Sequence, residues 1–466
     1  MRKTKIICTI GPATHSVEML ESLYNAGMNV VRMNMSHGDH AFHGAVIESV
    51  RKLNRKVNYP VALLLDTQGP EIRTGDLREE MLLKEGEHIQ VCVDPAFNVE
   101  GKSLLINYSD LLEQVNIGDR ITIDNGLINL HVLSKSAHYL DCRIDDGGSI
   151  KGRRHVNLPG IHVNLPAITE KDERDIIFGL EQGVDFIALS FVREMQDIEQ
   201  LRKLLAKHDS HAKIIAKIED QEGVRNIESI VDVADGVMVA RGDLGVEIAV
   251  EILPNVQRRI VQLCAERGKR VIVATHLLES MIQNPIPTRA EVTDVANAVY
   301  EEADAIMLSG ETTVGKYPVR SVEYLDKIAR ESERTRGMRF CENLHSADPK
   351  QPFGSSTVSL AEAVEAKAII AITRSGITAN RVSNCRPRHM IVHAFTNSES
   401  TLHQLALSRN VYAHKIRFYN EPEKTLAGAF KRLKEEAGFK SGDRVVVLSD
   451  ILAGSGIDAI QVRLIP

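Results

Sequence analysis

The sequence predicts an α/β protein in three parts: a (β/α)8 TIM barrel, a small β-barrel lid domain inserted into it, and a C-terminal α/β domain. Three observations carry this expectation. Eight short apolar, β-branched runs recur with helical stretches between them. One interval, residues 67–184, is far longer than the roughly 30 residues a strand–helix unit needs. Past residue 354 a second alternation of strands and helices begins. The expected borders are 1–69 and 168–345 for the barrel, 70–167 for the lid and 346–466 for the last domain.

The barrel runs are 5–10, 29–34, 61–66, 185–190, 213–218, 236–241, 270–275 and 305–309. Their hydrophobicity is continuous, not alternating, which marks parallel strands buried on both faces. Helix signals lie between them. Thr288 and Glu291 have capping-box spacing, and Val292, Val295, Ala296 and Val299 follow at helical intervals. The long interval instead carries short alternating patterns at 88–93, 120–132 and 139–144, broken by Gly and Asp turns, as antiparallel strands require. Residues 321–340 read as one long helix and 345–354 as a linker. The last domain has strand-like runs at 368–374, 390–396, 411–416, 444–450 and 460–466, fitting a mixed sheet with helices on both faces. Its loops 373–378 and 452–458 are rich in Gly, Ser and Thr. Such loops can bind phosphate through amides and hydroxyls, but their spacing alone favours plain turns.

Composition narrows the function. At 466 residues the chain exceeds one compact core, and 43% hydrophobic with 26% charged residues is a globular balance. A net charge of −6 gives no global basic field for nucleic acid or membrane, and 4% aromatics without tryptophan offer few stacking platforms. No apolar run approaches the roughly 20 residues that span a bilayer, and KTKIICTI leaves no room for a signal peptide. Six scattered cysteines without metal spacing fit reduced, buried thiols and a cytoplasmic protein.

Polar residues gather at the C-terminal ends of the barrel runs, where this fold places function. They are Arg32, Asn34, Ser36 and His37 after the second run, Asp66 and Thr67 after the third, Lys217 and Glu219 at the fifth, Asp243 after the sixth, Thr275 after the seventh, and Ser309 and Glu311 after the eighth. This inventory suits phosphoryl transfer, which depends on positioning and charge neutralisation. Glu219 and Asp243 are hard oxygen donors without a complete cage, which favours Mg2+ over Ca2+. Lys217, two residues before Glu219, projects to the same side and can stabilise a migrating phosphoryl group and an enolate oxygen. Arg32 and Arg73 are candidates for bidentate phosphate contacts. Neither a Walker GxxxxGK[ST] nor a protein-kinase motif set is present.

The stretches TKIICTIGPA 4–13, NVVRMNMSHG 29–38, LLDTQGPEIRTG 64–75, VNLPG 156–160, AKIEDQEG 216–223, VARGDLGVEI 239–248, ESMIQNPIPTRAEVTDVANAV 279–299 and MLSGET 307–312 occur in that order. Through them the chain resembles the pyruvate kinases along its whole length. The resemblance implies phosphoryl transfer from phosphoenolpyruvate to ADP, with Mg2+ and K+ as cofactors. It implies catalytic roles for Arg32, Lys217, Thr275, Ser309 and Glu311, and substrate binding by Arg32, Lys217, Gly242, Asp243 and Thr275. Glu219 and Asp243 would hold Mg2+. Asn34, Ser36, Asp66 and Thr67 would hold K+, for which Glu71 is the matching signature. Asn34, His37, Arg73 and Arg154 would meet the nucleotide. Thr373, Arg374, Ser375 and Thr378 would bind an effector phosphate under the 452–458 loop, in a homotetramer. A sugar phosphate and AMP are both open as effectors.

Four departures stand out. His276-Leu277 replaces the usual Gln-Met after Thr275, and Gln68 replaces a lysine near the nucleotide. Arg153-Arg154-His155 stands for Lys-Lys-Gly in the lid, and Val314 for a frequent lysine. Two other readings are a Mg2+-dependent barrel lyase or aldolase acting on pyruvate enolate, and a non-catalytic paralogue. A lyase has no nucleotide for a lid and Arg73 to cover, and a dead paralogue would be expected to have lost Lys217 or a metal ligand.

Overall fold

A computed structural model describes residues 1–77, 79–95, 102–161, 163–449 and 458–466. The eight barrel strands are Lys5–Thr9, Val30–Asn34, Ala62–Asp66, Phe186–Leu189, Lys213–Ile218, Gly236–Ala240, Arg270–Ala274 and Ala305–Leu308. All are parallel, and the sheet closes with the first strand paired to both the second and the eighth. Each apolar run overshoots its strand by at most one residue at either end. Arg241, read as the end of the sixth run, instead opens a helix, Arg241–Glu247.

Strand periodicity explains how the barrel fills. Ile7, Val30, Leu64, Ala188, Ile215, Met238, Ile272 and Met307 pack with one another as the inward-facing set, one from every strand. Their neighbours Ile6, Val31, Leu65, Ile214, Val237, Val271 and Ile306 face outward, against the helices. Leu407 of the last domain joins the inner cluster from outside the barrel strands.

Between strands three and four, Arg120–Ile123, Ile128–Lys135 and Tyr139–Asp146 form an antiparallel meander within a six-stranded sheet. Met81–Leu83 and Gly148–Ile150 make a separate two-stranded ribbon. This insertion has its own apolar core, built around Ile121, Leu130, Cys142 and Ile144. The last domain is a five-stranded sheet, Ala368–Ile372, Ile391–Thr396, Val411–Lys415, Arg444–Ser449 and Ala459–Leu464, of which only the final strand runs antiparallel. Separate apolar clusters cover its two faces, one containing Val382 and Val392, the other Leu426 and Leu433 of the helix Pro422–Ala437.

Two boundaries differ from expectation. The helix predicted over 321–340 spans Pro318–Ser332. It stops where Glu333 turns its carboxylate onto the amides of Lys3, at 2.9 Å, and Thr4, at 2.7 Å. The linker-like 345–354 is shorter than it reads, because the helix Gln351–Ala363 begins inside it, with proline in its first turn.

Candidate active site at the barrel mouth

The alternation that fills the barrel also builds its site. One step beyond the apolar layer, the next inward positions are Thr9, Arg32, Asp66, Ser190 and Lys217, so five polar residues share one level at the C-terminal mouth. Asp66 is fully buried at the centre. Its Oδ2 accepts from Arg32 Nε at 2.6 Å, and its Oδ1 lies 3.0 Å from Lys217 Nζ. Burial alone would raise its pKa, but the Arg32 and Lys217 cations outweigh burial and hold Asp66 below the usual carboxylate range.

Lys217 Nζ also donates to Ser190 Oγ at 2.6 Å and pairs with Glu219 Oε1 at 2.9 Å. Burial disfavours its charge, yet Asp66 and Glu219 more than compensate, so the ammonium is held protonated. Arg32 is braced further by Thr9, whose Oγ1 accepts from Nη1 at 3.0 Å. Glu219 Oε2 accepts the Phe191 amide at 2.7 Å. Burial pushes Glu219 up to about 7, with Lys217 opposing and the Asp243 and Asp66 carboxylates adding to the rise. A buried carboxyl whose proton affinity is raised by burial and by neighbouring carboxylates marks a place where a cation is stabilised.

Asp243 lies in the first turn of the helix Arg241–Glu247. In the same turn the Gly242 amide donates to Thr275 Oγ1 at 2.7 Å, and Thr275 Oγ1 donates to Ala274 O at 2.6 Å. Arg241 braces this loop, donating to Thr275 O at 2.6 Å and pairing with Asp294 at 2.7 Å. Thr275 and His276 both adopt left-handed backbone, with φ of 68° and 55°. Two consecutive non-glycine residues in that region store strain, a recurrent mark of functional loops. His276 points to Glu279, 3.4 Å away, and both side chains are more than half exposed.

Across the mouth, Glu311 is buried and raised by that burial, while its carboxylate accepts the amides of Leu278 at 3.0 Å and Ser309 at 2.8 Å. Ser309 Oγ is buried with no hydrogen-bond partner. On the second and third strands Asn34 stands opposite Asp66 in register, and Asn34 Oδ1 accepts the Ser36 amide at 3.2 Å. Thr67 Oγ1 accepts the Ser190 amide at 3.0 Å. His37 lies exposed just beyond.

The lid contributes Arg73 and Arg154. Arg73 is forked onto Glu71 through Nε and Nη2, both at 2.6 Å, and Gln68 reaches the same carboxylate at 3.0 Å. Arg154 Nη1 lies 3.4 Å from Asp124, and its Nε is buried without a partner. Arg153 turns away to an exposed pair with Asp76 at 2.7 Å. The lid is tied to the barrel by Asn157, which donates to Glu247 Oε1 at 2.7 Å; burial raises that carboxyl to about 7. The effector candidates lie elsewhere, in the last domain. There Thr373 Oγ1 accepts the Gly376 amide at 3.0 Å, Arg374 and Ser375 are exposed, and Thr378 Oγ1 is buried and unpartnered. Of the 452–458 loop, only Asp458 is among the described residues.

Two participants escaped sequence reasoning. Ser190 links Lys217, Asp66 and Thr67, donating to Thr67 O at 2.6 Å. Its signal was present, since it ends the fourth run as Asp66 ends the third. His155 contacts the site electrostatically: burial lowers its pKa, and the Asp243 and Glu71 carboxylates pull it back up.

Comparison with known proteins identifies the family. Residues 1–322 match the family model for the pyruvate kinase barrel domain, and residues 353–462 match that for the pyruvate kinase alpha/beta domain. The chain is 42% identical over 461 residues to the pyruvate kinase of Geobacillus stearothermophilus, covering 97% of this chain and 78% of that relative. Similarity to the Bacillus licheniformis pyruvate kinase is 42% over 467 residues, covering 98% and 79%. To plastidial pyruvate kinase 2 of Arabidopsis thaliana it is 39% over 482 residues, covering 99% and 81%. Matched over both domains and nearly end to end, this chain belongs to the pyruvate kinase family of phosphotransferases.

Proposed function

We propose that this enzyme moves the phosphoryl group of phosphoenolpyruvate to ADP, giving pyruvate and ATP, with Mg2+ and K+ as its cations. The observation that carries the reading is Lys217, an ammonium fixed by Ser190, Asp66 and Glu219 at the barrel mouth. The donor set fits the two ions. Glu219 and Asp243 supply two carboxylates, and no group of three or more His, Cys, Asp or Glu gathers for a metal among the described residues. A cation that keeps waters and takes substrate oxygens suits such a pair, which is the habit of Mg2+. Neutral and anionic oxygens of Asn34, Ser36, Asp66 and Thr67 suit a larger monovalent cation. When bound, Mg2+ would neutralise phosphoryl and enolate oxygen charge.

The chain's own residues then divide the work. Arg32, held in place by Asp66 and Thr9, presents the free edge of its planar guanidinium to the phosphate. Lys217 follows the phosphoryl group as its bond to the enol oxygen breaks and the bond to the ADP terminal oxygen forms. It remains to offset the enolate charge. The Gly242 amide and Thr275 hydroxyl, now bonded to each other, release to hold the substrate carboxylate. Thr275 stands beside C3 of the enolate, where a proton must arrive, and Ser309 with the buried Glu311 carboxyl orders the path supplying it. Arg73, Arg154, His37 and Asn34 line the nucleotide side. Thr373, Arg374, Ser375 and Thr378 form an effector phosphate site in a cytoplasmic homotetramer. No helix among the described residues is long and apolar enough to cross a membrane. Domain borders are proposed at 69/70, 167/168 and 345/346.

Purified protein given phosphoenolpyruvate, ADP, Mg2+ and K+ should form pyruvate in a lactate-dehydrogenase-coupled assay. Omitting K+ should lower the rate about tenfold or more, roughly 1.4 kcal/mol of barrier. No pyruvate would sink the reaction, and full activity in Na+ alone would sink the role given to Asn34, Ser36, Asp66 and Thr67.

A further inference from the structure

The two arginines proposed to meet the nucleotide are carried by one piece of lid backbone. Arg73 and His155 face each other as an antiparallel bridge. The Thr74 amide donates to Arg154 O at 2.8 Å, and the Arg154 amide donates to Thr74 Oγ1 at 2.8 Å. The chain then runs into the strand Val156–Asn157, which pairs antiparallel with Arg120–Ile123. The Asp124 amide ties this turn down as well, donating to His155 O at 3.0 Å. Extended chain covers only about 10 Å from Arg154 to Asn157, so whatever anchors Asn157 also places Arg73 and Arg154.

Packing alone leaves that strand room to tilt. A cavity of about 70 Å3 separates lid from barrel here, with Leu158 and Ile161 on the lid side and Phe191 and Gln221 on the barrel side. Close-packed layers hold an angle by contact, and a gap between them removes that hold. The restraint is polar instead. Asn157, 3% exposed, donates from Nδ2 to Glu247 Oε1 at 2.7 Å. Glu247 is the last residue of the helix Arg241–Glu247, whose first turn holds Gly242 and Asp243. Its own carbonyl oxygen, of the kind a helix end leaves without an intrahelical partner, accepts from Gln221 Nε2. Gln221 stands two residues past Glu219. Glu247 is therefore gripped from the barrel through its backbone, and it grips the lid through its side chain.

We infer that Glu247 is a positioning residue for the nucleotide: through Asn157 it sets the angle of the lid, and with it the places of Arg73 and Arg154 over the mouth. The inference rests on the nucleotide roles proposed above for those two arginines. Small displacements of positioned groups are costly in such a site. The effect is selective by construction. Arg73 and Arg154 belong to the lid, whereas Arg32, Lys217, Gly242 and Thr275 belong to the barrel. Truncating the Glu247 side chain leaves its carbonyl on Gln221, so the helix carrying Gly242 stays anchored. Loss of the bond to Asn157 therefore falls on ADP and spares phosphoenolpyruvate, while a merely structural contact would weaken both substrates alike.

Two measurements on the full chain test this: calorimetric titration with ADP in the presence of Mg2+, and the KM values for ADP and for phosphoenolpyruvate in the coupled assay. Glu247→Ala is expected to raise both Kd and KM for ADP about fivefold or more, with KM for phosphoenolpyruvate within about twofold of the parent. Glu247→Gln keeps an oxygen that accepts from Asn157 Nδ2 and should restore ADP affinity. Asn157→Ala, which removes the donor from the lid side, should repeat the ADP effect, and the double variant should be no worse than either single one. If Glu247→Ala does not fold, Asn157→Ala and Glu247→Gln decide. An ADP affinity unmoved by Asn157→Ala, equal losses for the two substrates, no restoration by glutamine, or additive losses in the double variant overturns the assignment. A parent that forms no pyruvate counts against the reaction itself; an active parent whose variants bind ADP normally counts against Glu247 alone.

Discussion

Lys217 keeps its charge because three acceptors within 3.0 Å surround it, and the proposed reaction gives that fixed ammonium two separable uses. One is holding a phosphoryl group in transit; the other is offsetting an enolate. Both are realised in the transition state more than in the bound substrate, so truncation should fall on turnover and spare binding. Lys217→Met is expected to lower kcat by about 10³-fold or more, with phosphoenolpyruvate affinity within a few-fold of the parent by calorimetry. Undiminished turnover would remove Lys217 from the chemistry. At this scale the sequence was informative wherever a charged residue interrupted an apolar run, as at Arg32, Asp66 and Lys217. Ser190 hid because serine after a strand is ordinary, and only the closed barrel brings it to the level of Lys217. His155 hid because its neighbours Asp243 and Glu71 are remote in sequence.

The segment after the seventh strand shows how one side chain can organise an element. Glu291 closes the capping box of the helix Arg289–Tyr300, accepting the Thr288 amide at 2.7 Å. Its carboxylate also takes the Ser280 amide at 2.7 Å and the Ser280 hydroxyl at 2.6 Å. Burial acts to raise its pKa, and these donors together hold it below the usual value. Glu291 therefore fixes the stretch that follows the strained Thr275 and His276. Glu291→Ala should cost about 1–2 kcal/mol from the lost cap and lower kcat as well. Thermal unfolding and the coupled assay read the two effects; an unchanged melting temperature would contradict the capping role. The capping box was legible from Thr288 and Glu291 alone, but the grip on Ser280 was not, because it is tertiary. The same limit explains the helix ending at Ser332: Glu333, Arg334 and Arg336 favour helix locally, while Glu333 is drawn off to amides at the start of the chain.

Across the whole molecule, Asp304 joins the barrel to the last domain. Entirely buried, it pairs with Arg270 at 2.8 Å and with both terminal nitrogens of Arg386 at 2.8 Å, and it accepts the Val271 amide at 3.1 Å. Burial acts to raise its pKa, but Arg386 and Arg270 overcome that and hold it far below the carboxylate range. A depressed acid contributes stability that is complete above its unfolded value, near 3.9, and is lost as pH falls through the folded value. Asp304→Asn leaves two buried arginines uncompensated and should cost about 3–5 kcal/mol near neutrality. Below about pH 4 its melting temperature should fall less steeply with acid than the parent's. Parallel acid slopes would show that Asp304 is not the responsible group. The three-part architecture was legible because each part has its own hydrophobic period. The junction was not, since Arg270, Asp304 and Arg386 read separately as ordinary charges at the borders of apolar runs.

The lid leaves and rejoins the barrel at one place. Strand three pairs directly with the strand that follows the lid, Leu64 opposite Phe186, and the Gly69 amide is bonded to Asp172 at 3.0 Å across the gap. Asp172 in turn caps the helix Glu170–Glu181 that resumes the barrel. The two ends of about a hundred intervening residues are thus already neighbours in the closed sheet, as loop-closure entropy tolerates. A single in-frame gene insertion between two adjacent strands suffices to derive this architecture from an uninterrupted barrel, with no strand changing its partner.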